Sequence, residues 1–233
     1  MKIGTLNIDW FLKSEITKKL IIKKIINQDF DFLIVTENIE EFEFSKNYFV
    51  YHSDKIPLDG IYEYLDYAYY LKGNQAIRTS IYSKYPSVIK NHVEDSFTSV
   101  CHTFFVDDKP ITIYGTIVGT WGILHQKTIA KKELINFIKD SEKFYTFENI
   151  IIAGDFNTSF LPFENREMTQ INSREVLKLQ SERINCTLAT ATIPQNIDAI
   201  FVSNNLKFND AKVFMTEEEL KDKYHKGISI EIY

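Results

Sequence analysis

Residues 149–160 read NIIIAGDFNTSF, and the run from Ile150 to Ala153 constrains the fold more than any other stretch. Four apolar residues in succession, three of them isoleucine, make a strand with no face suited to water, so it must be covered on both sides. The run stops at Gly154, Asp155 and Asn157, residue types that turn a chain. FDFLIVTE (30–37) repeats the pattern, a buried strand that ends in a carboxylate. Strands of this kind need layers on either side of their sheet, which points to an α/β protein.

The neighbouring segments supply those layers. KIGTLNI (2–8) reads as a strand, and SEITKKLIIKKIINQ (14–28) as a helix with apolar residues at 16, 20, 21, 25 and 26 and Ser14 as its N-cap. YFVYHS (48–53), QAIRTSIYS (75–83), SVCHTFFVD (99–107) and PITIYGTIVG (110–119) follow without helices between them. They are therefore expected to pair antiparallel, with turns at YP (85–86) and DDKP (107–110). HQKTIAKKELINFIKDSEKF (125–144) is a second amphipathic helix that feeds the strand at 149–153. A helix near 172–184 and strands at NIDAIFVS (196–203) and KGISIEIY (226–233) complete the pattern. No repeat, linker or low-complexity tract divides the chain. One α/β domain over residues 1–233 is expected, built on a mixed sheet or on two sheets packed face to face between helices.

At 233 residues, 44% hydrophobic and 14% aromatic, the chain can bury one sizeable core. A net charge of −5 disfavours a protein that coats a polyanion through global charge. It leaves open an enzyme whose cations are local or carried by a metal. Cys101 and Cys186 are far apart with no CxxC spacing, which argues against a zinc site and a disulfide framework and suits a reducing compartment. MKIGTLNIDWF has one lysine and an Asp at position 9 but no apolar h-region. No window approaches the roughly 18 apolar residues of a membrane span. A cytoplasmic protein with no membrane partner is the expectation.

Polar residues of related chemistry sit at the strand ends: Asn7 after the first, Glu37 after the second, Asp155 and Asn157 after the middle one, and His225 before the last. Asp198 lies inside the apolar NIDAIFVS, where a buried carboxylate needs a partner. Singly, each has a plain reading as a turn, cap or solvated strand end. Together they gather where ligands bind in α/β folds, outside strand ends. Hard oxygen ligands suit Mg²⁺ or Mn²⁺, whose usual partners are phosphate esters. An Asp beside a His orients and charges the imidazole.

LNI, FLIVTEN, SIYSKYP, IIIAGDFNTSF, NIDAIFVS and YHKGISIEI occur in the order expected of one superfamily. On these motifs the chain resembles the endonuclease/exonuclease/phosphatase superfamily over nearly its whole length. The resemblance implies a four-layer α/β sandwich, two packed mixed β-sheets flanked by helices, and a Mg²⁺- or Mn²⁺-dependent phosphoesterase. It implies Glu37 as a metal ligand with Asn7 beside it, and Asp155 as the carboxylate that orients or deprotonates the attacking water. Asn157 would hold a phosphate oxygen, and Asp198 would pair with the catalytic His225. The chain departs from the family where Ser-Asp-His becomes Lys223, Tyr224, His225. Asp222 lies nearby, but a strand places neighbours on opposite faces, so it is not an automatic substitute for the missing aspartate. Ile117 stands in the place of a family histidine, and Ala199 where many members have His or Tyr.

Three functions remain in competition. The first is a phosphodiesterase acting on DNA or RNA. Lysines 18, 19, 23, 24, 131 and 132 and the aromatic segment GIYEYLDYAYYLKGNQ (60–75) speak for it, with Arg78, Lys84 and Tyr114 as candidate substrate contacts. The second is a phosphatase or phosphodiesterase of a small phosphorylated metabolite or lipid headgroup. The third is a binding protein whose site Tyr224 has disabled.

Overall fold

The structure, a computed structural model, describes residues 1–44, 46–56, 76–120, 127–161, 164 and 172–233. Among these residues the strands are β1 (Lys2–Asn7), β2 (Phe32–Ile39), β3 (Phe49–His52), β4 (Ala76–Ser83), β5 (Ser87–Lys90) and β6 (Val100–Val106). They continue with β7 (Lys109–Ile117), β8 (Ile150–Asp155), β9 (Cys186–Leu188), β10 (Asp198–Ser203), β11 (Lys212–Met215) and β12 (Gly227–Glu231). The helices are α1 (Glu15–Gln28), α2 (Lys127–Phe144), α3 (Ser173–Arg183) and the single turn α4 (Glu217–Leu220). One sheet has the order β11-β12-β1-β2-β4-β3 and the other β5-β6-β7-β8-β10-β9. Each is mixed, with one parallel pair, β1 with β2 and β7 with β8, at its centre.

Alternation along the central strands builds the layers. Phe32 and Ile34 of β2 meet Ile151 and Ala153 of β8, with Phe104, Ile113 and Ile200, in the core between the sheets. Leu33 and Val35 point the other way and pack with Ile21 and Ile25 of α1. Ile150 and Ile152 pack outward against Leu134 and Phe137 of α2 and Leu177 of α3. The uniformly apolar runs are thus buried on both faces, each full side-chain burial contributing roughly 1.5–3 kcal/mol. The order is α1, sheet, sheet, α2 with α3. The sheets approach closely at Gly115, where a Cβ would stand 2.9 Å from Thr79 Cγ2 and 3.2 Å from Ile34 Cγ2.

Ser14 caps α1 as its sequence indicates, its hydroxyl accepting from Thr17 N at 3.2 Å. Ile16 and Ile26 nevertheless stay exposed. The stripe facing the sheet runs through Thr17, Ile21 and Ile25, four residues apart, and those two isoleucines fall off it. The YP turn does not close a hairpin; it passes the chain from β4 in one sheet to β5 in the other. Three strands absent from the sequence reading, β5, β9 and β11, all lie at sheet edges. Among the described residues no helix is long and apolar enough to cross a membrane.

Candidate active site

The centre of the site is set by strand register. β8 and β10 run antiparallel with Asp155 directly opposite Asp198, and both carboxylates are buried. Like charges facing one another across a strand pair repel. The ring of His225, in the turn before β12, relieves them. Its Nδ1 lies 3.3 and 3.2 Å from the two oxygens of Asp198, and its Nε2 3.9 Å from Asp155 Oδ2. Asp198 is held further by the Lys226 backbone N–H at 3.1 Å, and its own N–H donates to Asn196 Oδ1 at 3.2 Å.

This arrangement sets the protonation states. Burial works against the His225 cation, but Asp198, Asp155 and Asp222 outweigh it and lift the imidazole to about 10. Burial raises the Asp155 carboxyl to about 7; Asp198 and Glu37 push the same way, while His225 and the Asn157 N–H oppose. The site therefore pairs a persistent imidazolium with a carboxylate that titrates near neutrality.

The other sheet contributes through β1 and β2. Asn7 Nδ2 donates to Asp155 Oδ2 at 3.2 Å, and Asn7 Oδ1 accepts from Asp9 N at 3.0 Å, so one amide ties both sheets to the turn after β1. Glu37, half-buried, has φ 54°, and Asp9 and Asn157 also have positive φ, at 37° and 45°. Left-handed backbone in non-glycine residues costs about 1–3 kcal/mol each and collects at functional sites. Asn157 is fixed by its N–H to Asp155 Oδ1 at 2.9 Å and its Nδ2 to Val118 O at 3.3 Å. Gly154 has φ 145°, and a Cβ there would fall 1.9 Å from Thr116 O, so GDFN requires its glycine.

Three residues that sequence reasoning did not assign complete the cluster. Lys13, 5% exposed, reaches Asp222 Oδ2 at 3.2 Å and Asp9 Oδ2 at 3.8 Å. Burial raises Asp9 to about 7, with Glu37 and Asp222 adding to the rise and Lys13 and His225 opposing it. Asp222 goes the other way: burial opposes, but His225, the Tyr224 N–H and Lys13 hold its carboxyl below the ordinary value. Asp9 had a signal, since it stands two residues after Asn7 in LNID. The strand-alternation ground against Asp222 as an automatic substitute for the family's aspartate does not apply, because Asp222 lies outside β12. Residues 221–226 form a turn, in which Asp222 Oδ1 accepts from the N–H groups of Tyr224 (2.9 Å) and His225 (3.3 Å).

The structure brings Asn7, Glu37, Asp155, Asn157, Asp198 and His225 to one end of the sandwich and places the other candidates elsewhere. Arg78, 1% exposed, is enclosed by Glu133 at 2.7 Å, Thr98 at 3.1 Å and Thr120. Lys84 follows Ser83, which pairs with Phe32 at the opposite end of β2 from Glu37, and it meets Asp29 and Asp31 at 2.9 and 3.6 Å. Tyr114 faces α2, its buried hydroxyl 2.9 Å from both Asp140 Oδ2 and Ser99 Oγ. Tyr224 is 48% exposed, so its ring stands on the turn and does not fill the site. Lys18 and Lys24 pair with Glu15 and Glu219. The aromatic segment 60–75 lies outside the described residues.

A divalent ion fits the donors on the Glu37 side. Asp155, Asp198 and His225 offer ligand atoms within 4.8 Å of one another. An imidazole engaged with two carboxylates is itself a cation, however, and a cation does not ligate a metal. Glu37 raises both Asp9 and Asp155 electrostatically, which makes its side of the cluster acidic. The hard oxygens of Glu37 and Asn7 suit Mg²⁺ or Mn²⁺.

No protein-family model matches the chain, and no curated protein sequence matches it. Solved structures do. An endonuclease/exonuclease/phosphatase family protein from Leptotrichia buccalis has a TM-score of 0.66 at 14% identity, covering 100% of this chain and 99% of that one. An AP endonuclease from Archaeoglobus fulgidus has a TM-score of 0.69 at 14% identity, with 100% and 99% covered. A variant of the 3′ phosphatase NExo from Neisseria, bound to product DNA hairpin, has a TM-score of 0.71 at 10% identity, again with 100% and 99% covered. At such identities the likeness is one of fold. The chain has the fold of the endonuclease/exonuclease/phosphatase proteins, an α/β sandwich of two mixed six-stranded sheets with flanking helices.

Proposed function

We propose that the chain is a divalent-metal-dependent phosphoesterase that hydrolyses phosphodiester bonds in nucleic acid. The observation that carries this reading is the Asp198–His225–Asp155 array, joined through Asn7 to the Glu37 side of the facing sheet. Such an array serves attack of water on phosphorus. Asp155, raised to about 7, takes a proton from the water near neutral pH. His225, held as a cation by Asp198, donates to a phosphate oxygen and meets the charge that develops there. Asn157 keeps one amide hydrogen for the same phosphate after its bond to Val118 O. Glu37 and the second lone pair of Asn7 Oδ1 would hold Mg²⁺ or Mn²⁺. When bound, the ion polarises the phosphate and neutralises its charge.

Nucleic acid as substrate is supported by the AP endonuclease and the DNA-bound NExo among the proteins of like fold. A small phosphorylated metabolite or lipid headgroup is the second reading, favoured by the net charge of −5. Two buried, unpaired cysteines support a reducing, cytoplasmic setting.

The test is hydrolysis of single-stranded and duplex DNA, RNA, a bis-aryl phosphodiester and a panel of phosphomonoesters, with Mg²⁺, Mn²⁺ or chelator. Asp155→Asn is the control. Metal-dependent cleavage of DNA or RNA that the variant lacks is expected. Cleavage of phosphomonoesters alone selects the second reading, and silence from the folded protein across the panel sinks both.

A further inference from the structure

Lys13 holds an unusual position for a lysine. Its ammonium is withdrawn from water between two carboxylates, 3.2 Å from Asp222 Oδ2 and 3.8 Å from Asp9 Oδ2, with 5% of the side chain exposed. Burying an ammonium is costly unless it is paired, and here both partners belong to the carboxylate cluster around His225 and Glu37. The sequence holds it there from two directions. Ser14 caps α1 immediately after Lys13, and the left-handed turn at Asp9 follows β1 immediately before. Asp222 has neither oxygen to spare, since Oδ1 accepts the Tyr224 and His225 N–H groups while Oδ2 takes Lys13. Tyr224 brings no carboxylate of its own to this corner.

We infer that Lys13 is a resident counter-cation that closes the Asp9–Asp222 corner to divalent metal, so that the site takes one ion, on the Glu37 side. The inference rests on the metal-dependent reading above and deepens it. An ammonium between two carboxylates supplies the charge that an ion would otherwise bring, and a dication placed beside it would be repelled. Removing the ammonium leaves Asp9 and Asp222 facing each other as a vacant pair of hard ligands. Lys13 is then a positioning and metal-counting residue, without contact to the reacting phosphate.

The experiment counts bound Mn²⁺ per chain from the loss of the free-ion electron paramagnetic resonance signal, without any substrate. The unsubstituted protein is expected to bind one, Lys13→Met two, Lys13→Arg one, and Glu37→Gln none. Lys13→Met with Glu37→Gln together should retain one, at the new corner. Two ions in the unsubstituted protein, or one in folded Lys13→Met, overturns the inference and leaves the phosphoesterase reading standing. No Mn²⁺ in the unsubstituted protein removes the metal-dependent reading and the inference with it. Should Lys13→Met not fold, Lys13→Gln is counted in its place, since it removes the charge and keeps hydrogen bonding to both carboxylates.

Discussion

Asn7 Nδ2 donates to Asp155 Oδ2 at 3.2 Å, a bond between two sheets from residues 148 apart in sequence. Asn7 closes β1 and Asp155 closes β8, so the bond forms only when the sheets have packed in the correct register. With both groups buried, Asn7→Ala leaves a carboxylate oxygen without its donor. The expected cost is about 1–3 kcal/mol in urea unfolding, with a loss of turnover in the surviving folded protein. A variant as stable and as active as the parent would remove the clamp role.

Asp198 acts through His225. Asp198→Asn and His225→Ala should each lower kcat by roughly 10²–10⁴-fold, and the double variant little further, because the two residues work as a unit. Steady-state kinetics of the three variants checks this, and additive losses would show that they do not cooperate.

His225 makes stability depend on pH with a definite sign. Its folded value, about 10, lies above the ordinary 6.5, so folding binds a proton over that interval. The contribution is fully present below pH 6.5 and lost as pH rises through 10. Metal-free protein should therefore lose stability between about pH 7 and 10, by an amount on the order of a few kcal/mol. His225→Gln should flatten this part of the profile. Unfolding midpoints of the two proteins across the range test it; parallel profiles would refute the assignment.

Arg78 and Glu133 form an ion pair with each side chain 1% exposed. Glu133 also accepts from Thr120 N and Oγ1, both at 2.7 Å, which ties α2 to the segment after β7. Glu133→Gln strands a buried guanidinium and should cost about 3–5 kcal/mol in chemical denaturation. Arg78→Met with Glu133→Leu should recover most of that. An inexpensive single variant would mean that Arg78 is open to solvent and free to meet substrate.

The central layers were legible along the chain because the runs FLIV and IIIA tolerate no solvated face, and alternation sends their side chains to two different cores. The edge strands β5, β9 and β11 were not, being three or four residues long and partly exposed, with weak patterns of their own. Asn7, Glu37, Asp155, Asn157, Asp198 and His225 were readable for a related reason: each sits at or near the end of a strand whose pattern is strong.

Arg78, Lys84 and Tyr114 show where local reading ended. Their residue types suit phosphate contact, but burial against Glu133, the direction of β4 and the face of β7 decide what each one touches. The Lys13–Asp9–Asp222 corner is the clearest division. Local chemistry placed Lys13 before a helix cap and Asp222 before a histidine. Their charges come within 3.2 Å only in the folded sandwich, because a turn and a helix start 209 residues apart share one end of it. Which strands are covered, and which polar residues end them, follows from periodicity and residue type along the chain. Which charges meet, and hence which are neutralised and which are left to act on a ligand, depends on packing across the sheets, where distance in space is independent of distance in sequence.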